Sequence, residues 1–385
     1  MQTTEKKAPY LVVREATPED DQALRQLVAV PMTTRGVMLS FQREPSYFQA
    51  AKVIYEVNDH AVIEDKTTKE LLACYGNGYR RCYVNGHVFP MRYACDLRVD
   101  QQYRGKTLLK LLGQHLNATM HNPNFNQIII FNDNYAARAA LQTGKSGLPN
   151  YYDEGLVETL TLTGFKTAQY PEIMQTQTEG QLDFSRVKRV TAQPQYIEQM
   201  NEFVQKMAQF YNFIPAYDFY GLLLKNEYFQ GLSLHDFQLY LLDGEIVGMF
   251  GLWSQSAFKQ SKILHYHWSI GLIRPLYNLL AGWAGLMTLP KIGESFKYHA
   301  LHSLLCNPND LPLHDHMLRD ALKLSRQQGV GCISFTLSHQ DPRQKLNQFY
   351  KGELLTGMHG FLSYQQDPRP LFDLARIPYF EVGRI

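Results

Sequence analysis

A short basic turn contains the residue types best suited to bind an anion. Arg104-Gly105-Lys106 stands between an alternating apolar and polar segment, 93–99, and a segment with leucines at helical spacing, 108–116, so the pattern predicts a strand, a turn and a helix. The first backbone N–H groups of a helix have no intrahelical partner, and glycine lets an anion approach them. The Arg and Lys side chains add charge-assisted contacts, which suits a pyrophosphate. The alternative is an ordinary connection between a strand and a helix.

The elements around this turn are predicted in a definite order. Strands are expected at 61–64 and 71–75, and Asn85-Gly86 is a strong signal for a two-residue hairpin turn. A buried strand is expected at 127–131 and a helix at 134–141.

This order resembles the GNAT superfamily of acetyl-CoA-dependent N-acetyltransferases. In that family a strand ending in Val is followed by a few polar residues and then Arg/Gln-x-x-Gly-x-Gly/Ala. The chain reads Val99-Asp-Gln-Gln-Tyr-Arg-Gly-Lys-Thr-Leu-Leu109. The resemblance implies an α/β (α+β) fold with a mixed, mostly antiparallel sheet, in which one parallel pair of strands splays apart between flanking helices. It also implies acetyl-CoA as the acyl donor, and no metal.

The same resemblance assigns residues to the donor. The strand before the turn would pair its backbone with the pantetheine arm and polarise the thioester carbonyl, while the turn would hold the pyrophosphate. Asn134 would reach an amide of the cofactor or cap its own helix, and capping is favoured. The residues assigned to acetyl-CoA are Leu97, Arg98, Val99, Arg104, Gly105, Lys106, Thr107 and Asn134.

Asp96 and Tyr93 are the candidates for chemistry on the acceptor amine, which must lose a proton before it attacks. Asp96 matches an acidic residue that polyamine-type members place beside the amine; the alternative is an ion pair with Arg92 or Arg98. Tyr93 falls where histone-acetylating members have a Glu, and packing in the core is the favoured alternative.

Two departures from the family pattern bear on activity. The second and third small positions of the motif are Thr107 and Leu109, and Leu109 is expected to turn toward the core. Many members carry a Tyr seven residues after the Asn as the acid for the leaving thiolate, whereas this chain has Leu141. Water or another tyrosine would have to replace it. The candidates are Tyr135, Tyr151 and Tyr152.

The second half of the chain repeats the layout of the first. The segment from Val187 resembles that from Val13, and strands at 237–242 and 246–253 flank an Asp243-Gly244 turn. A strand at 299–305, a helix at 315–328, a strand at 332–337 and a helix at 345–351 follow. Gly164-Phe165 and Gly360-Phe361 are each expected just before a last strand. We therefore predict two tandem domains, 1–172 and 186–385, joined by a polar linker at 173–185.

The two halves are not expected to bind the same ligand. At the place of the basic turn, the second half has Asn307-Pro-Asn-Asp310, in which proline removes a donor and Asp310 repels phosphate. Acetyl-CoA is therefore expected in the first half alone. By analogy with the mycothiol synthases and N-myristoyltransferases, tandem members of the superfamily, the second half would close the acceptor site.

Composition excludes several other classes. The 385 residues are 45% hydrophobic and carry a net charge of +2 with acids and bases interspersed, which argues against nucleic acid as a partner. The five cysteines have no CxxC spacing and are expected as buried thiols in a reducing compartment. The first residues lack the apolar run of a signal peptide, so a cytoplasmic location is expected.

Two other features have structural explanations that we favour. His265 with His267, and His314 with His316, have the spacing of one strand face, but without a third ligand nearby a polar contact is favoured over a metal site. The apolar segment 270–290 is interrupted by Arg274 and Pro275. A helix packed over the interface between the halves is favoured over a lid on an apolar acceptor or a contact with a membrane surface.

The leading hypothesis is an N-acyltransferase that uses acetyl-CoA on a small-molecule or peptide amine held between the halves. A catalytically degenerate CoA-binding protein, acting as a sensor or scaffold, is the alternative. Aminoacyl or long-chain acyl transfer is a third hypothesis. The sequence predicts neither the acceptor nor the oligomeric state.

Overall fold

The computed structural model describes residues 10–34, 36–104, 106–132, 134–142, 147–166, 186–283 and 287–385. The expected linker, 173–185, lies outside the described residues. The strands of the first half are β1 (Leu11–Glu15), β2 (Pro31–Thr34), β3 (Val37–Gln42), β4 (Val57–Asn58), β5 (Ala61–Asp65), β6 (Leu71–Val84), β7 (His87–Val99), β8 (Phe125–Phe131) and β9 (Asn150–Phe165). Its helices are α1 (Asp21–Val28), α2 (Tyr47–Ala51), α3 (Lys106–Thr119) and α4 (Tyr135–Gln142).

The second half begins with strand β10. Its strands are β10 (Val187–Thr191), β11 (Tyr211–Asn212), β12 (Ile214–Pro215), β13 (Phe237–Leu242), β14 (Glu245–Trp253), β15 (Gln260–Tyr266), β16 (His299–Cys306), β17 (Ile333–Ser338), β18 (Tyr350–Ser363) and β19 (Ile377–Pro378). Its helices are α5 (Ile197–Met207), α6 (Tyr220–Leu223), α7 (Trp268–Trp283) and α8 (Leu311–Gln327).

The predicted hairpin turns form where expected. Asn85 and Gly86, which join β6 to β7, have φ angles of 52° and 83°, and Asp243 and Gly244, which join β13 to β14, have φ angles of 52° and 92°. Both central residues of such a turn need a positive φ, which Asn, Asp and Gly adopt at the lowest cost. The first turn sets the register of β6 against β7, and the second sets that of β13 against β14.

The two halves share one sheet and exchange their last strands. Its main order is β1-β5-β6-β7-β8-β18-β9-β17-β16-β14-β13-β10, with β4 and β12 also pairing with β6. Strand β18 of the second half pairs with β8 of the first, and β9 of the first pairs with β17 of the second. Each half therefore completes the sheet of the other, and β18 and β9 lie side by side at the centre.

In each half a parallel pair of strands meets briefly and then separates. Strands β7 and β8 pair only at Tyr93 with Gln127 and at Ala94 with Ile128. Strands β16 and β17 pair only at His299 with Ile333 and at Ala300 with Ser334. The predicted mixed sheet with a splayed parallel pair is confirmed, and it occurs twice.

A β-bulge bends the inner strand of each splayed pair. The register of β6 against β7 shifts beside Asp96, which has a φ of 48°. The register of β14 against β16 shifts beside Ser303, which has a φ of 50°. A non-glycine residue at such a φ is uncommon, and a bulge re-aims the residues around it. Asp96 and Ser303 therefore occupy corresponding positions in the two halves.

Helices α3 and α8 are the corresponding helices that follow the bent strands. Helix α3 buries Leu108, Leu112 and Leu116 against β5 and β6, as the leucine spacing predicts. Helix α8 buries Leu313, Met317 and Ala321 against its own sheet strands. Burial of these faces holds the start of each helix at the open end of its splayed pair.

Three predictions about secondary structure were wrong. Helix α8 begins at Leu311 rather than 315 because Asp310 caps it. The segment predicted as a helix at 345–351 is a 3₁₀ helix, Pro342–Phe349, that runs directly into β18. Gly164-Phe165 and Gly360-Phe361 lie within β9 and β18, not before a last strand, because the antiparallel pairing of β9 with β18 includes both pairs of residues.

Candidate active site

A cavity of about 530 Å³ opens where β7 and β8 separate. Its walls on one side come from β7, β8, α3 and α4, and its opposite wall comes from β3 and from the second half of the chain. The apolar side chains of the first group include Ala94, Leu97, Leu112, Ile128 and Leu141. A cavity with a mostly apolar wall and a few convergent polar groups is the usual form of a ligand site.

The edge of β7 that faces the cavity has no strand partner beyond Ala94 among the described residues. On its other edge β7 stays paired with β6 as far as Val99. Leu97 and Arg98 line the cavity, and the Arg98 side chain donates to the backbone oxygen of Leu97 at 3.0 Å. An extended ligand arm with amide groups could therefore pair with this edge, as another strand would.

The expected phosphate-binding turn is described in part. Arg104 and Thr107 are exposed on either side of the start of α3. Gly105 and the side chain of Lys106 lie outside the described residues. The Asp100 carboxylate just before the turn accepts from the backbone N–H of Gln102 at 2.8 Å.

Asn134 caps α4, as favoured from the sequence. Its Oδ1 accepts from the backbone N–H of Ala137 at 3.1 Å, and the residue also lines the cavity. Leu109 packs against an apolar cluster that includes Ile130 and Leu148, which agrees with its expected orientation toward the core.

Asp96 lies in the wall of the cavity and is largely buried. Its carboxylate is 3.6 Å from Nη2 of Arg43, and it accepts from the Tyr47 hydroxyl at 3.5 Å. Burial alone would raise the pKa of Asp96, but Arg43 and Arg98 outweigh burial and lower it below the ordinary value. Asp96 is therefore an anion at neutral pH. Its ion-pair partner is Arg43, whereas Arg92 binds Asp59 at 2.7 Å.

Lys259 brings an amine from the second half to the same wall. It donates to the backbone oxygens of Gly383 at 3.1 Å and of Ile385 at 3.3 Å. Burial, and then the positive charge of Arg43, lower the pKa of Lys259 to about 7, although Asp96 acts in the opposite direction. Lys259 can therefore hold or release a proton near neutral pH. We call Arg43, Asp96 and Lys259 the charged cluster.

No motif in the sequence points to Arg43 or Lys259. Arg43 follows β3, a strand of the small sheet β15-β3-β2 that joins the two halves. Lys259 precedes β15, whose pairing with β3 brings the two residues to one end of that sheet. The mostly apolar run at 37–41 could have indicated the strand, but no local pattern indicates its partner in the other half.

Tyr93 is packed in the core, as favoured from the sequence. Its ring is 2% exposed and lies 4.3 Å from the guanidinium carbon of Arg80. Burial raises the pKa of Tyr93. The thiol of the neighbouring Cys95 forms a hydrogen bond of 3.0 Å with the Tyr55 hydroxyl. Burial raises the pKa of this thiol to about 12, so it is a poor nucleophile.

Leu141 lines the cavity, where the resemblance would have placed an acid. Of the proposed substitutes, Tyr135 is exposed, Tyr151 donates to Asp153, and Tyr152 donates to the backbone oxygen of Gln365. The tyrosines that do line the cavity are Tyr75, Tyr93 and Tyr298. Tyr75 also forms a hydrogen bond of 2.9 Å with Nδ1 of His115, and burial raises its pKa to about 12.

The corresponding place in the second half is filled by the chain itself. Asp310 accepts from the backbone N–H of Leu313 at 3.0 Å, so a carboxylate occupies the N-terminus of α8. Glu381 accepts from the backbone N–H of Ser303 at 2.8 Å, and from the hydroxyls of Tyr217 and Tyr379. A segment near residue 381 therefore lies along the bent strand β16, where a ligand arm would lie in the first half.

The second histidine pair lies on a helix and not on a strand face. His314 and His316 lie on α8, where residues two apart point in different directions. His314 is fully buried and His316 is 3.6 Å from Asp320, while His267 pairs with Ser269. Within the described ranges no three His, Cys, Asp or Glu side chains are grouped as metal ligands would be.

Comparison with solved structures shows the fold. The chain is similar to N-myristoyltransferase from Saccharomyces cerevisiae, in a structure with bound myristoyl-CoA, with 12% identity over 95% of this chain and 86% of that one and a TM-score of 0.55. It is also similar to a GCN5-related N-acetyltransferase from Sphaerobacter thermophilus, with 13% identity over 96% and 100% of the two chains and a TM-score of 0.52.

A third similar structure is the glucosamine N-acetyltransferase region of a fungal multi-domain GH3 β-N-acetylglucosaminidase. Identity is 11%, the TM-score is 0.57, and the match covers 93% of this chain but 38% of that one. No protein-family model and no curated protein sequence matches the chain. The predicted GNAT-type, two-domain fold is thus confirmed at the level of structure.

Proposed function

We propose that this protein is an acyl-CoA-dependent N-acyltransferase, with acetyl-CoA the favoured donor and an amine held between the two halves as acceptor. The observation that carries the proposal is the separation of β7 from β8 beside a large, mostly apolar cavity. This separation leaves the inner edge of a strand facing a space that α3 and α4 flank. The fold of the similar acyltransferases supports the same conclusion.

The donor would lie along β7. Backbone groups of Leu97, Arg98 and Val99 would pair with the pantetheine arm, and one of their N–H groups would bind the thioester oxygen as negative charge develops there. Loss of one such donor costs roughly 3 kcal/mol in other enzymes. Arg104, Gly105, Lys106 and Thr107 would hold the pyrophosphate at the start of α3.

The acceptor amine would approach the thioester from the charged cluster. The Asp96 carboxylate would bind the incoming ammonium group and orient it. Neutral Lys259 would then accept one of its protons, directly or through water, because the pKa of Lys259 lies near 7. Arg43 would keep Asp96 ionised and so make it an anchor rather than the base.

Transfer would then proceed in one displacement. The nitrogen lone pair attacks the thioester carbon, the C–N bond forms and the C–S bond breaks, and the thiolate leaves with the electron pair of that bond. The nitrogen then releases its second proton as the amide forms. Since Leu141 cannot donate a proton, this proton would reach the thiolate through water or through a cavity tyrosine such as Tyr75.

The test uses the full chain with acetyl-CoA and with acyl-CoAs of increasing chain length. Calorimetry should detect binding at low micromolar to sub-millimolar concentration, and an amine screen should release free thiol together with an N-acylated product. Binding without turnover on any amine would overturn the transferase proposal in favour of a CoA-binding scaffold. Absence of binding by every acyl-CoA would overturn both.

A further inference from the structure

Helix α7 presents an apolar face to solvent. Trp268, Leu272, Ile273, Leu276, Leu279 and Leu280 are each between 59% and 73% exposed. At about 100° per residue these six side chains fall within an arc of about 140°. We call them the outer face of α7. Ile292, 62% exposed, adds a seventh large apolar side chain in the segment that follows the helix.

The opposite side of the helix carries its polar contacts. Asn278 both donates to and accepts from the backbone of Leu289, at 2.9 Å and 2.8 Å, and the Tyr277 hydroxyl donates to the backbone oxygen of Met287 at 2.9 Å. Arg274, the single charged residue of α7, is half-buried on this side. A helix on the surface of a protein in water has the reverse arrangement, with its polar face outward.

Helix α7 is nevertheless well attached to the protein. The backbone N–H of His267 donates to the oxygen of Gly36 at 2.6 Å, and Ile270 packs against that glycine, so the helix rests on the β2–β3 hairpin of the first half. The favoured interpretation from the sequence, a helix packed between the halves, therefore describes its inner side. It does not account for the outer face.

Charge around the helix favours an anionic surface as the occupant. Beyond Lys259, which lies in the cavity wall, residues 260–298 include four basic residues, Lys262, Arg274, Lys291 and Lys297, and a single acid, Glu294. Lys291 and Lys297 are exposed beside Ile292. An exposed apolar helix face followed by a segment with exposed lysines matches a lipid surface, in which apolar side chains enter the acyl boundary and lysines meet the headgroups.

We propose that the outer face of α7 binds the surface of an anionic lipid bilayer, with the helix lying parallel to it. None of the described helices is long and apolar enough to cross a membrane. Met287, Phe296 and Tyr298, in the segment after α7, line the cavity of the candidate active site. Binding would therefore bring that cavity close to the membrane surface.

The test measures flotation of the full chain with vesicles made of equal parts phosphatidylcholine and phosphatidylglycerol. The parent protein should float with these vesicles and float less with phosphatidylcholine alone, and added salt should weaken the binding. Replacing Leu272, Leu276 and Leu279 together by Glu should lower the partition coefficient at least about tenfold. The matched control replaces Leu223, Leu224 and Leu374 by Glu. These leucines are 50%, 80% and 70% exposed on other parts of the surface, so this variant should bind vesicles within about twofold of the parent.

Circular dichroism of each variant checks that it remains folded. A parent protein that does not float with anionic vesicles, or a Glu variant that floats as the parent does, would overturn the proposal. If the parent does not bind vesicles, is a dimer in ultracentrifugation and becomes a monomer in the Glu variant, the outer face would instead be a contact with a second copy of the chain. Acetyl-CoA binding is measured separately, so failure of the transferase proposal leaves this result interpretable.

Discussion

Glu381 accepts a hydrogen bond of 2.8 Å from the backbone N–H of Ser303 at the bulge of β16. The corresponding bulge of β7 has Asp96 beside an open cavity. The backbone at the bulge is thus bound by another part of the chain in the second half, whereas in the first half the bulge lies beside a cavity. Together with the loss of the basic turn, this difference makes the two halves unequal.

Stoichiometry tests this difference directly. Because Asp310 and Glu381 fill the anion-binding and strand-pairing positions of the second half, one acetyl-CoA should bind per chain. Calorimetry at several protein concentrations measures the number of sites. Two sites per chain, or a cofactor located beside Ser303, would contradict the assignment.

Arg104 should contribute strongly to donor binding. Arg104→Glu replaces an attractive contact with the pyrophosphate by a repulsive one, so the affinity for acetyl-CoA should fall about thirtyfold. Lys188→Glu, an equal change of charge at an exposed position of β10, should leave the affinity within about twofold. Equal losses in the two variants would indicate an effect of net charge alone.

Asp96 should act on the acceptor and not on the donor. Asp96→Asn keeps the shape of the side chain but removes its charge, so kcat/KM for the amine should fall about 100-fold while acetyl-CoA affinity changes little. Steady-state kinetics with calorimetry on the same samples separates the two effects. Normal turnover by the variant would remove Asp96 from the mechanism.

Lys259 should determine the low-pH limb of activity. A lysine with a pKa of about 7 is protonated below that pH and neutral above it, so kcat/KM should rise tenfold per pH unit below about 7 and level off above it. Lys259→Met should lower kcat/KM and abolish this limb. A Lys259→Met enzyme that keeps the same limb would show that another group is the base.

The lowered pKa of Lys259 should also make the stability of the fold depend on pH. The pKa of Lys259 is lower in the folded chain than its ordinary value of 10.5, so the unfolded chain binds more protons between about pH 7 and 10.5. The contribution of Lys259 to the free energy of unfolding should therefore rise with pH across that window. Lys259→Met should flatten this dependence in urea unfolding measured at pH 7 and pH 9, and an unchanged slope would contradict the shift.

Local physical rules let the sequence alone determine much of the first half. The turn at Asn85-Gly86 needs two positive φ angles, and the leucines of α3 need one buried face, so both features follow from short segments. The strand from Tyr93 to Val99 and the capping of α4 by Asn134 likewise follow from the residues of one short segment each. The strand–turn–helix prediction on which the donor site depends was therefore accessible without a structure.

The tertiary structure decided which segments from distant parts of the chain meet. Strands β9 and β18 carry similar patterns, and only the packing of the whole sheet selects their exchange between the halves. Arg43 and Lys259 come together because β3 pairs with β15, a long-range pairing that no turn specifies. The charged cluster and its shifted pKa values exist only once burial and neighbouring charges are in place. The chemistry at the acceptor side is therefore a property of the folded chain, since electrostatic interactions depend on distance and burial and not on order in the sequence.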